Sequence, residues 1–502
     1  MVHIDRESRT PFYLQLKEQL RDLVVNGVLK PGAKLPPTRQ LAEELGLNRN
    51  TVLTAYEELE ADGLVFSHVG QGTFVADPSE YLSQARPGIR RRFNWPNHFS
   101  QYFDEYSLYS LVQLYRISTR QGGIPFSGAF PPGEFYPLPQ LQRCFHAMMK
   151  EERREIFNYG GVEGLPLLRE QIARQMQAIG IDTTAADIFV TNGSQQGLAI
   201  TAKILIEPGD YVITEEPTYT GALSIFKTLR ARILGVPMEP DGLDVRMLEE
   251  LLRKYNPKLI YTIPNFHNPT GITASTGKRR RLMQLAETHR VPVLEDDVCG
   301  GLRFEGEDIP PLKAWDRTGQ VIYLNSLSKK VMPGFRVGWA VINEALRDRF
   351  TAFKEMEDLS TSPIAQALVQ KFIARGYFKT HLRRIRSRYR ERRDAMIRSL
   401  RAHFPADVEI SKPQGGLFLW VTFPAGTDLT PVSDAAQEAG VPFSLGSLFH
   451  HTGRGKNAMR LAFALNPPDK IEEGIRILGG LVSSTLPRIP EKSKERELLP
   501  IL

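Results

Sequence analysis

The stretch that decides the fold reads Asn325-Ser326-Leu327-Ser328-Lys329-Lys330-Val331-Met332-Pro333-Gly334-Phe335-Arg336-Val337-Gly338 and follows an apolar run over 321–324. The amine of Lys329 can form a Schiff base with an aldehyde. The two serine hydroxyls and the guanidinium of Arg336 are groups that hold a phosphate. The stretch therefore predicts a strand that ends in a site for a phosphorylated aldehyde.

Outward from this stretch, short apolar runs alternate with segments of helix length from about residue 124 onward. This alternation is typical of an α/β fold in which helices cover a mostly parallel sheet. Because chemistry in such folds gathers at the carboxyl ends of the strands, the residues after each run are expected to lie together. The predicted strands span 187–191, 211–213, 258–263, 292–294 and 321–324.

Polar side chains follow four of these strands. Ser194 and Gln195 open a helix after the first, where free backbone N–H groups favour a phosphate. Tyr219 follows the second strand, where its ring either stacks on a planar heterocycle or belongs to the apolar core. Asn268 follows the third, and the trio Glu295-Asp296-Asp297 follows the fourth, where it needs a cation nearby. A reactive lysine together with a buried carboxylate that can keep a pyridine nitrogen protonated indicates pyridoxal 5'-phosphate (PLP).

The chain from 124 to 486 resembles fold-type-I aminotransferases, especially the kynurenine and aminoadipate branch, because these motifs recur in the expected order. The resemblance implies a smaller C-terminal α+β subdomain and two catalytic residues: Lys329 carries the cofactor and Asp296 pairs with its pyridine nitrogen. Arg460, in Met459-Arg460-Leu461-Ala462-Phe463, would clamp a substrate carboxylate with its bidentate fork. The other implied roles are hydrogen bonding to the ring hydroxyl by Asn268, ring stacking by Tyr219, phosphate binding by Ser194, Gln195, Ser326, Ser328 and Arg336, and contact with the neighbouring subunit's cofactor by Tyr159.

One position departs from the aminotransferase pattern. Such enzymes usually carry a tyrosine three residues after the aspartate, and this chain has Cys299 there. A thiol is a weaker donor than a phenol and is shorter, so the ring hydroxyl is expected to lose a hydrogen bond. We therefore hypothesise that transamination by this chain is slow or incomplete. The alternative is that Cys299 only fills space and a nearby residue substitutes for the tyrosine.

The N-terminal segment 1–77 is predicted to form a winged helix. Apolar residues at helical spacing predict a first helix from 11 to about 26. The corner Pro36-Pro37-Thr38 predicts a second helix that Thr38 caps and that ends at Gly46. After a third helix, alternating residues over 64–68 and 73–75 predict a hairpin around Gly70-Gln71-Gly72.

The third helix is the predicted recognition helix. Asn48 is expected to cap it, which exposes Arg49, Asn50 and Thr51 in the first turn. A short turn between the second and third helices matches the helix-turn-helix geometry, which places the N-terminus of the recognition helix in the major groove of DNA. The alternative is an ordinary three-helix module with a hairpin.

The motifs of this segment resemble the GntR-type winged-helix domain of bacterial regulators. They are Leu35-Pro36-Pro37-Thr38-Arg39-Gln40-Leu41-Ala42, Leu45-Gly46-Leu47-Asn48-Arg49-Asn50-Thr51-Val52 and Gly70-Gln71-Gly72-Thr73-Phe74-Val75. The resemblance implies that Arg39, Arg49, Gly70 and Gly72 contact DNA. Asn50 and Thr51, which the predicted recognition helix exposes, are further candidate DNA contacts. Pro37 and Asn48 stand where serine is usual, which bears on the operator sequence more than on binding itself.

Residues 78–123 are expected to be a linker with a short helix around 106–117, and residues 487–502 a polar tail. A winged helix joined by a linker to an aminotransferase-like body resembles the MocR-type transcriptional regulators. The resemblance implies a homodimer, with the head of one chain near the large domain of the other, that binds a double-stranded DNA operator. An amino compound or a pyridoxal vitamer is the implied effector. An active aminotransferase with a DNA-binding head is the alternative, and a PLP-dependent enzyme with an unrelated adaptor head is a weaker one.

Composition narrows the class of protein. With 502 residues, 41% of them hydrophobic and 24% charged, the chain is an ordinary globular protein rather than a collagen-like, disordered or coiled-coil one. Two distant cysteines exclude a disulfide framework, and the absence of a long apolar run predicts a bacterial cytoplasmic protein with no membrane contact. The net charge of +7 does not reveal a DNA binder, because residues 1–77 carry eight basic and eleven acidic residues. No metal site is expected.

Overall fold

The computed structural model describes residues 2, 4–6, 10–68, 71–76, 123–151 and 154–486, which fall into two units divided between residues 101 and 102. The predicted linker with its short helix, the predicted tail and Gly70 therefore lie outside the described residues, except for Gly123. Each unit has its own apolar core.

The N-terminal unit is a winged helix. Its elements are α1 (Phe12–Val25), α2 (Thr38–Leu45), α3 (Arg49–Ala61) and the antiparallel strands β1 (Val65–His68) and β2 (Gly72–Val75). Leu16 of α1 and Val52 and Leu59 of α3 are fully buried. The ammonium of Lys17 lies 2.8 Å from the carboxylate of Glu58 and 3.0 Å from that of Asp62, which ties α1 to α3.

The helix ends of this unit follow the predictions with one exception. The Asn48 side chain accepts a hydrogen bond from the Asn50 backbone amide at 2.9 Å, so the predicted cap of α3 is confirmed. Gly46 ends α2 in the left-handed conformation. The prediction that Thr38 caps α2 is wrong: the cap position is Pro37, which makes no side-chain cap bond. Proline presets the backbone for helix entry, so Thr38 becomes the first helical residue.

An eight-stranded sheet forms the centre of the large unit. The strands β4, β5, β7, β8 and β9 run parallel, while β10 lies antiparallel between β3 and β9 and β6 pairs antiparallel with β5. The spatial order is β3-β10-β9-β8-β7-β4-β5-β6. The bounds are β3 (Ile188–Thr191), β4 (Tyr211–Glu216), β5 (Arg232–Glu239), β6 (Gly242–Leu243), β7 (Leu259–Thr262), β8 (Val293–Asp296), β9 (Val321–Ser326) and β10 (Gly338–Val341).

All five strands predicted from the sequence are present, and the α/β class is confirmed. The strands β5 and β10 were not predicted. Every residue of β3, β7, β8, β9 and β10 is buried. Strands buried on both faces are continuous apolar runs, which agrees with helices on both sides of the sheet.

A smaller antiparallel sheet forms the predicted C-terminal α+β subdomain. Its order is β11 (Glu409–Ile410), β12 (Phe418–Thr422), β14 (Ala458–Ala462), β13 (Ser444–Leu445). The helices of the large unit are α4 (Leu138–Glu151), α5 (Pro166–Gln177), α6 (Ser194–Leu205), α7 (Thr220–Thr228), α8 (Val245–Lys254), α9 (Thr276–His289), α10 (Arg347–Asp358), α11 (Pro363–Ala374), α12 (Tyr377–His403), α13 (Thr430–Glu438) and α14 (Pro468–Thr485). Within the described residues, none of the helices combines the length and the hydropathy needed to span a bilayer.

Candidate functional site

One cavity of about 240 Å³ lies where the carboxyl ends of the central strands meet. Because parallel strands point the same way, residues far apart in sequence converge at this edge of the sheet. Ten of the residues singled out in the sequence line the cavity: Ser194, Gln195, Tyr219, Asn268, Asp296, Cys299, Ser326, Ser328, Lys329 and Arg336.

Lys329 lies in the turn after β9. Its amine donates a hydrogen bond to the Ala129 carbonyl oxygen at 2.8 Å. Enclosure by protein atoms lowers the pKa of Lys329, and the positive charges of Arg460 and Arg336 lower it further. A lowered pKa leaves more of the amine neutral, which is the nucleophilic form.

The N-terminus of α6 and Arg336 form one end of the cavity. The guanidinium of Arg336 donates to the Asn192 carbonyl oxygen at 2.6 Å. Gly193, with φ at +79°, precedes α6, and a Cβ atom there would lie 2.6 Å from that guanidinium. The hydroxyls of Ser326 and Ser328 lie 3.0 Å apart. Free helix amides, hydroxyls and a guanidinium are the donors that a phosphate requires.

Asp296 and Asn268 present complementary groups to the middle of the cavity. The carboxylate of Asp296 accepts a hydrogen bond from the Tyr261 hydroxyl at 2.9 Å through Oδ2, while its buried Oδ1 has no partner among the described residues. The Oδ1 atom of Asn268 accepts from Arg460 at 3.0 Å, which leaves the amide nitrogen as the group free to donate. The Tyr219 hydroxyl donates to Gln195 at 3.0 Å.

The electrostatics of the acidic trio are set by burial. Burial raises the pKa of Asp296 to about 6 and that of Glu295 to about 7. The neighbouring charge of Asp297 adds to both shifts, and the Tyr261 hydroxyl opposes the shift at Asp296. An unpartnered carboxylate oxygen in such surroundings calls for a hydrogen-bond donor, and a protonated pyridine N–H with a phosphate arm fits the groups that line the cavity.

Arg460, on β14, is held next to the cavity. Its guanidinium donates to the Ser127 carbonyl oxygen at 2.7 Å and to the Ser444 hydroxyl at 3.0 Å. It lies between the rings of Phe418 and Phe449, at 4.8 and 4.9 Å from their centroids. Burial lowers its pKa to about 10, so Arg460 remains a cation at neutral pH. Its Nε atom has no partner among the described residues.

Cys299 lines the same cavity, three residues after Asp296. It is 2% exposed, and burial raises the pKa of its thiol to about 12. The thiol is therefore neutral at physiological pH and offers only a weak donor where a phenol is usual.

Tyr159 lies away from the cavity that its own chain forms. Its side chain is 79% exposed. Gly160 packs on α11, because a Cβ atom at Gly160 would lie 3.0 Å from Pro363. The structure thus leaves Tyr159 at the surface.

The predicted DNA-contacting side chains lie at the surface of the winged helix. Arg39, Arg49 and Asn50 are exposed and Thr51 is half-buried in the first turn of α3. Gly72 is exposed at the start of β2 with φ at +112°, a conformation that favours glycine.

Several residues at the cavity escaped prediction from sequence. Tyr261 sits inside a predicted strand, and its chemistry was hidden in an apolar run. Ser127 and Ser444 carry no motif at all. The rings of Phe418 and Phe449 become neighbours of Arg460 only through the pairing of β12 and the turn before β14. No group of three His, Cys, Asp or Glu residues in the described part of the chain is arranged to hold a metal ion.

Comparison with known proteins agrees with both units. The family "Aminotransferase class I and II" matches residues 134–478, and "Bacterial regulatory proteins, gntR family" matches residues 12–75. The chain is 33% identical to aromatic-amino-acid aminotransferase 1 of Thermococcus litoralis, over 77% of this chain and 95% of that one.

A second relative spans both units. The probable rhizopine catabolism regulatory protein MocR of Rhizobium meliloti is 32% identical over 95% of this chain and 95% of its own length. The crystal structure of Pyrococcus horikoshii kynurenine aminotransferase, in complex with PMP, superimposes with a TM-score of 0.74 at 32% identity, over 78% of this chain and 99% of that one. The chain therefore belongs to the aminotransferase class I and II family and, through its gntR-type head, is a PLP-dependent transcriptional regulator of the MocR type.

Proposed function

We propose that the head binds an operator through Arg39, Arg49, Asn50, Thr51 and the wing glycines Gly70 and Gly72, and that an amino compound in the cavity changes this binding. The observation that carries the effector class is the buried guanidinium of Arg460 beside the cavity, with an unpartnered Nε among the described residues. A carboxylate is the acceptor that best compensates a buried guanidinium with an unpaired N–H donor. The effector is therefore an amine that carries a carboxylate.

Each of the cavity residues has its own role in binding PLP. When bound, PLP supplies an aldehyde that captures amines and a pyridine ring that accepts electrons. Lys329 provides the amine that holds the aldehyde, and Asp296 accepts the pyridine N–H at Oδ1. Ser194, Gln195, Ser326, Ser328 and Arg336 hold the phosphate. Tyr219 covers the ring, and Asn268 donates its amide N–H to the ring hydroxyl.

A homodimer completes this proposal. Apolar side chains are exposed on α4, α5 and α11 and on the segments around them, and α11 packs against both other helices. They are Leu138, Phe145, Met149, Phe157, Leu167, Met356, Leu359 and Ile364, each 39–79% exposed. Exposed apolar side chains gathered on helices that pack together are typical of a protein interface. Tyr159 borders this surface, from which it would reach the cofactor of the second subunit, and two heads would read paired half-sites in the bacterial cytoplasm.

Arg49→Ala tests the head. Loss of a base-contacting arginine is expected to weaken binding to DNA from the protein's own upstream region by roughly 10- to 100-fold. The visible spectrum of the bound cofactor should not change. Arg21→Ala is the matched control, because Arg21 lies on α1, is not a predicted contact and should leave affinity within about twofold. Unchanged DNA binding by Arg49→Ala would contradict the placement of the recognition helix.

A panel of amines tests the cavity. Each is added to the protein while the visible absorption spectrum and the affinity for DNA are followed. We expect a carboxylate-bearing amine to change both, and Arg460→Lys to reduce its apparent affinity by about tenfold or more, because lysine lacks the fork. An amine without a carboxylate serves as the control. If only a pyridoxal vitamer changes DNA binding, the amino compound is not the effector.

Transamination is the second candidate function, because the same cavity presents Lys329, Asp296 and Arg460 together. An amino donor followed by a keto acid should then convert the cofactor fully to its amine form and back, and turnover should persist without residues 1–77. We expect this conversion to be slow, since Cys299 offers a weak donor. Unchanged turnover and cofactor titration in Cys299→Tyr would contradict that expectation.

A further inference from the structure

Two buried tyrosines, on the two strands that flank β8, each donate a hydrogen bond to one of two adjacent aspartates. The hydroxyl of Tyr261, on β7, lies 2.9 Å from Oδ2 of Asp296. The hydroxyl of Tyr323, on β9, lies 2.7 Å from Oδ2 of Asp297. Both tyrosines are 0% exposed. Because consecutive side chains on a strand point to opposite faces, only the first of these pairs reaches the cavity.

The direction of the bond between Tyr261 and Asp296 is fixed by chemistry. Burial raises the pKa of Tyr261 well above its ordinary value, and the nearby negative charge of Asp296 raises it further. The phenol therefore keeps its proton and donates it, so Oδ2 must act as the acceptor. The other carboxylate oxygen, Oδ1, remains buried without a partner in the described part of the chain.

The carboxylate of Asp296 has few other groups to support its charge. Asp297 and Glu215 lie near it as further negative charges, whereas the backbone amide of Val298 and the positive charge of Lys329 favour its ionisation. Tyr261 itself is held by its strand: it is opposite Leu294 of β8 in the parallel register, and its ring meets Phe226 edge-on at 5.7 Å. The strand pairing and the ring contact therefore hold the Tyr261 hydroxyl next to Asp296.

We propose that Tyr261 is a positioning residue for the cofactor: its hydroxyl locks the Asp296 carboxylate so that Oδ1 faces the pyridine nitrogen, and keeps that carboxylate ionised. The inference rests on the role proposed above for Asp296. The charge of the pyridine nitrogen, and with it the strength of cofactor binding, then depends on a residue that does not line the cavity.

The test compares two ligands on the cofactor-free full chain. PLP and its 1-deaza analogue, which has C–H in place of the pyridine nitrogen, are titrated by equilibrium dialysis. Tyr261→Phe should weaken PLP binding by about tenfold, since a hydrogen bond to a charged group is lost, and should leave analogue binding within about twofold. Phenylalanine keeps the ring contact with Phe226, and circular dichroism checks the fold.

Tyr323→Phe is the matched control. It removes an equally buried hydroxyl from the next aspartate along the chain and should leave the affinity for both ligands within about twofold of wild type. In an Asp296→Asn background, Tyr261→Phe should have no further effect on PLP binding, because the two residues act through one contact.

Three outcomes would overturn the inference. One is unchanged PLP affinity in Tyr261→Phe, and another is equal weakening of PLP and analogue, which would indicate general loss of packing. The third is equal affinity of the wild-type protein for the two ligands. That result would refute the proposed role of Asp296 as well, so the two failures can be told apart.

Discussion

The two units of this protein carry their functional residues in opposite ways. In the winged helix, the predicted DNA contacts fall within residues 39–72, and most of the described ones lie exposed on the surface. In the large unit, the cavity residues extend from Ser194 to Arg460 and meet only because the sheet brings strand ends together. Local sequence is therefore enough to build a DNA-reading surface, whereas the cavity depends on the entire sheet.

The difference extends to electrostatics. Arg39 and Arg49 of the head are exposed to solvent, where a phosphate or a base can reach them. In the cavity, burial lowers the pKa of Lys329 and of Arg460 and raises that of Asp296. Charges with altered acidity are typical of chemical sites rather than of DNA-binding surfaces.

Lys329→Ala gives the largest expected effect and acts on one unit only. The covalent link to the cofactor and its visible absorption band should be lost completely, while DNA affinity without added amine stays within about twofold. Borohydride reduction followed by peptide mass spectrometry locates the link in the wild-type chain. Lys330→Met is the control: the Lys330 amine contacts Asn325 and lies 5.7 Å from the Trp339 ring centroid, so the link should survive. Labelling of Lys330 instead would contradict the assignment.

Asp296→Asn should change how the stability of the cofactor-free chain depends on pH. The pKa of Asp296 is raised from 3.8 to about 6 in the fold, so the folded state holds this proton more tightly than the unfolded one. The stability contribution is full below about pH 4 and is lost as pH rises towards 6. When the pH is raised from 4.5 to 7.5, the free energy of unfolding of the wild type should fall by about 2 kcal/mol more than that of Asp296→Asn, as measured by urea unfolding.

A carboxylate shifted the other way provides the control. Burial alone would raise the pKa of Asp316, but hydrogen bonds from the Lys313 amine and from backbone amides lower it. Its contribution is therefore lost only as pH falls below about 4. Asp316→Asn should destabilise the chain equally at pH 4.5 and 7.5. An unchanged slope in Asp296→Asn would mean that burial does not set the charge of Asp296.

Asn48→Ala gives the smallest expected effect and is confined to the head. Removal of the side-chain cap of α3 should cost about 1 kcal/mol in the unfolding of the winged helix and nothing in the large unit. Asn48→Asp keeps the acceptor and should retain most of the stability. Hydrogen exchange of the backbone amides measures each unit separately. Loss of protection in the large unit would show that the two units do not unfold independently.

Prediction from sequence succeeded where a signal is local. Proline and glycine placed the two ends of α2, and asparagine the start of α3, to within a residue, because caps and left-handed turns need particular side chains. It failed at Thr38, where Pro37 already supplied the helix entry. It also missed β10, whose antiparallel course between β3 and β9 no local pattern indicates.

Spacing along a few residues was enough to establish the two units, the α/β class, and the residue types that point to PLP and DNA. By contrast, the support of the Asp296 carboxylate by Tyr261 and the orientation of Asn268 by Arg460 arise only in the folded chain. The position of Arg460 between two aromatic rings likewise depends on the fold. These contacts join residues between 11 and 192 positions apart. The shifted pKa values of Asp296 and Arg460 follow from burial, which a linear pattern does not contain.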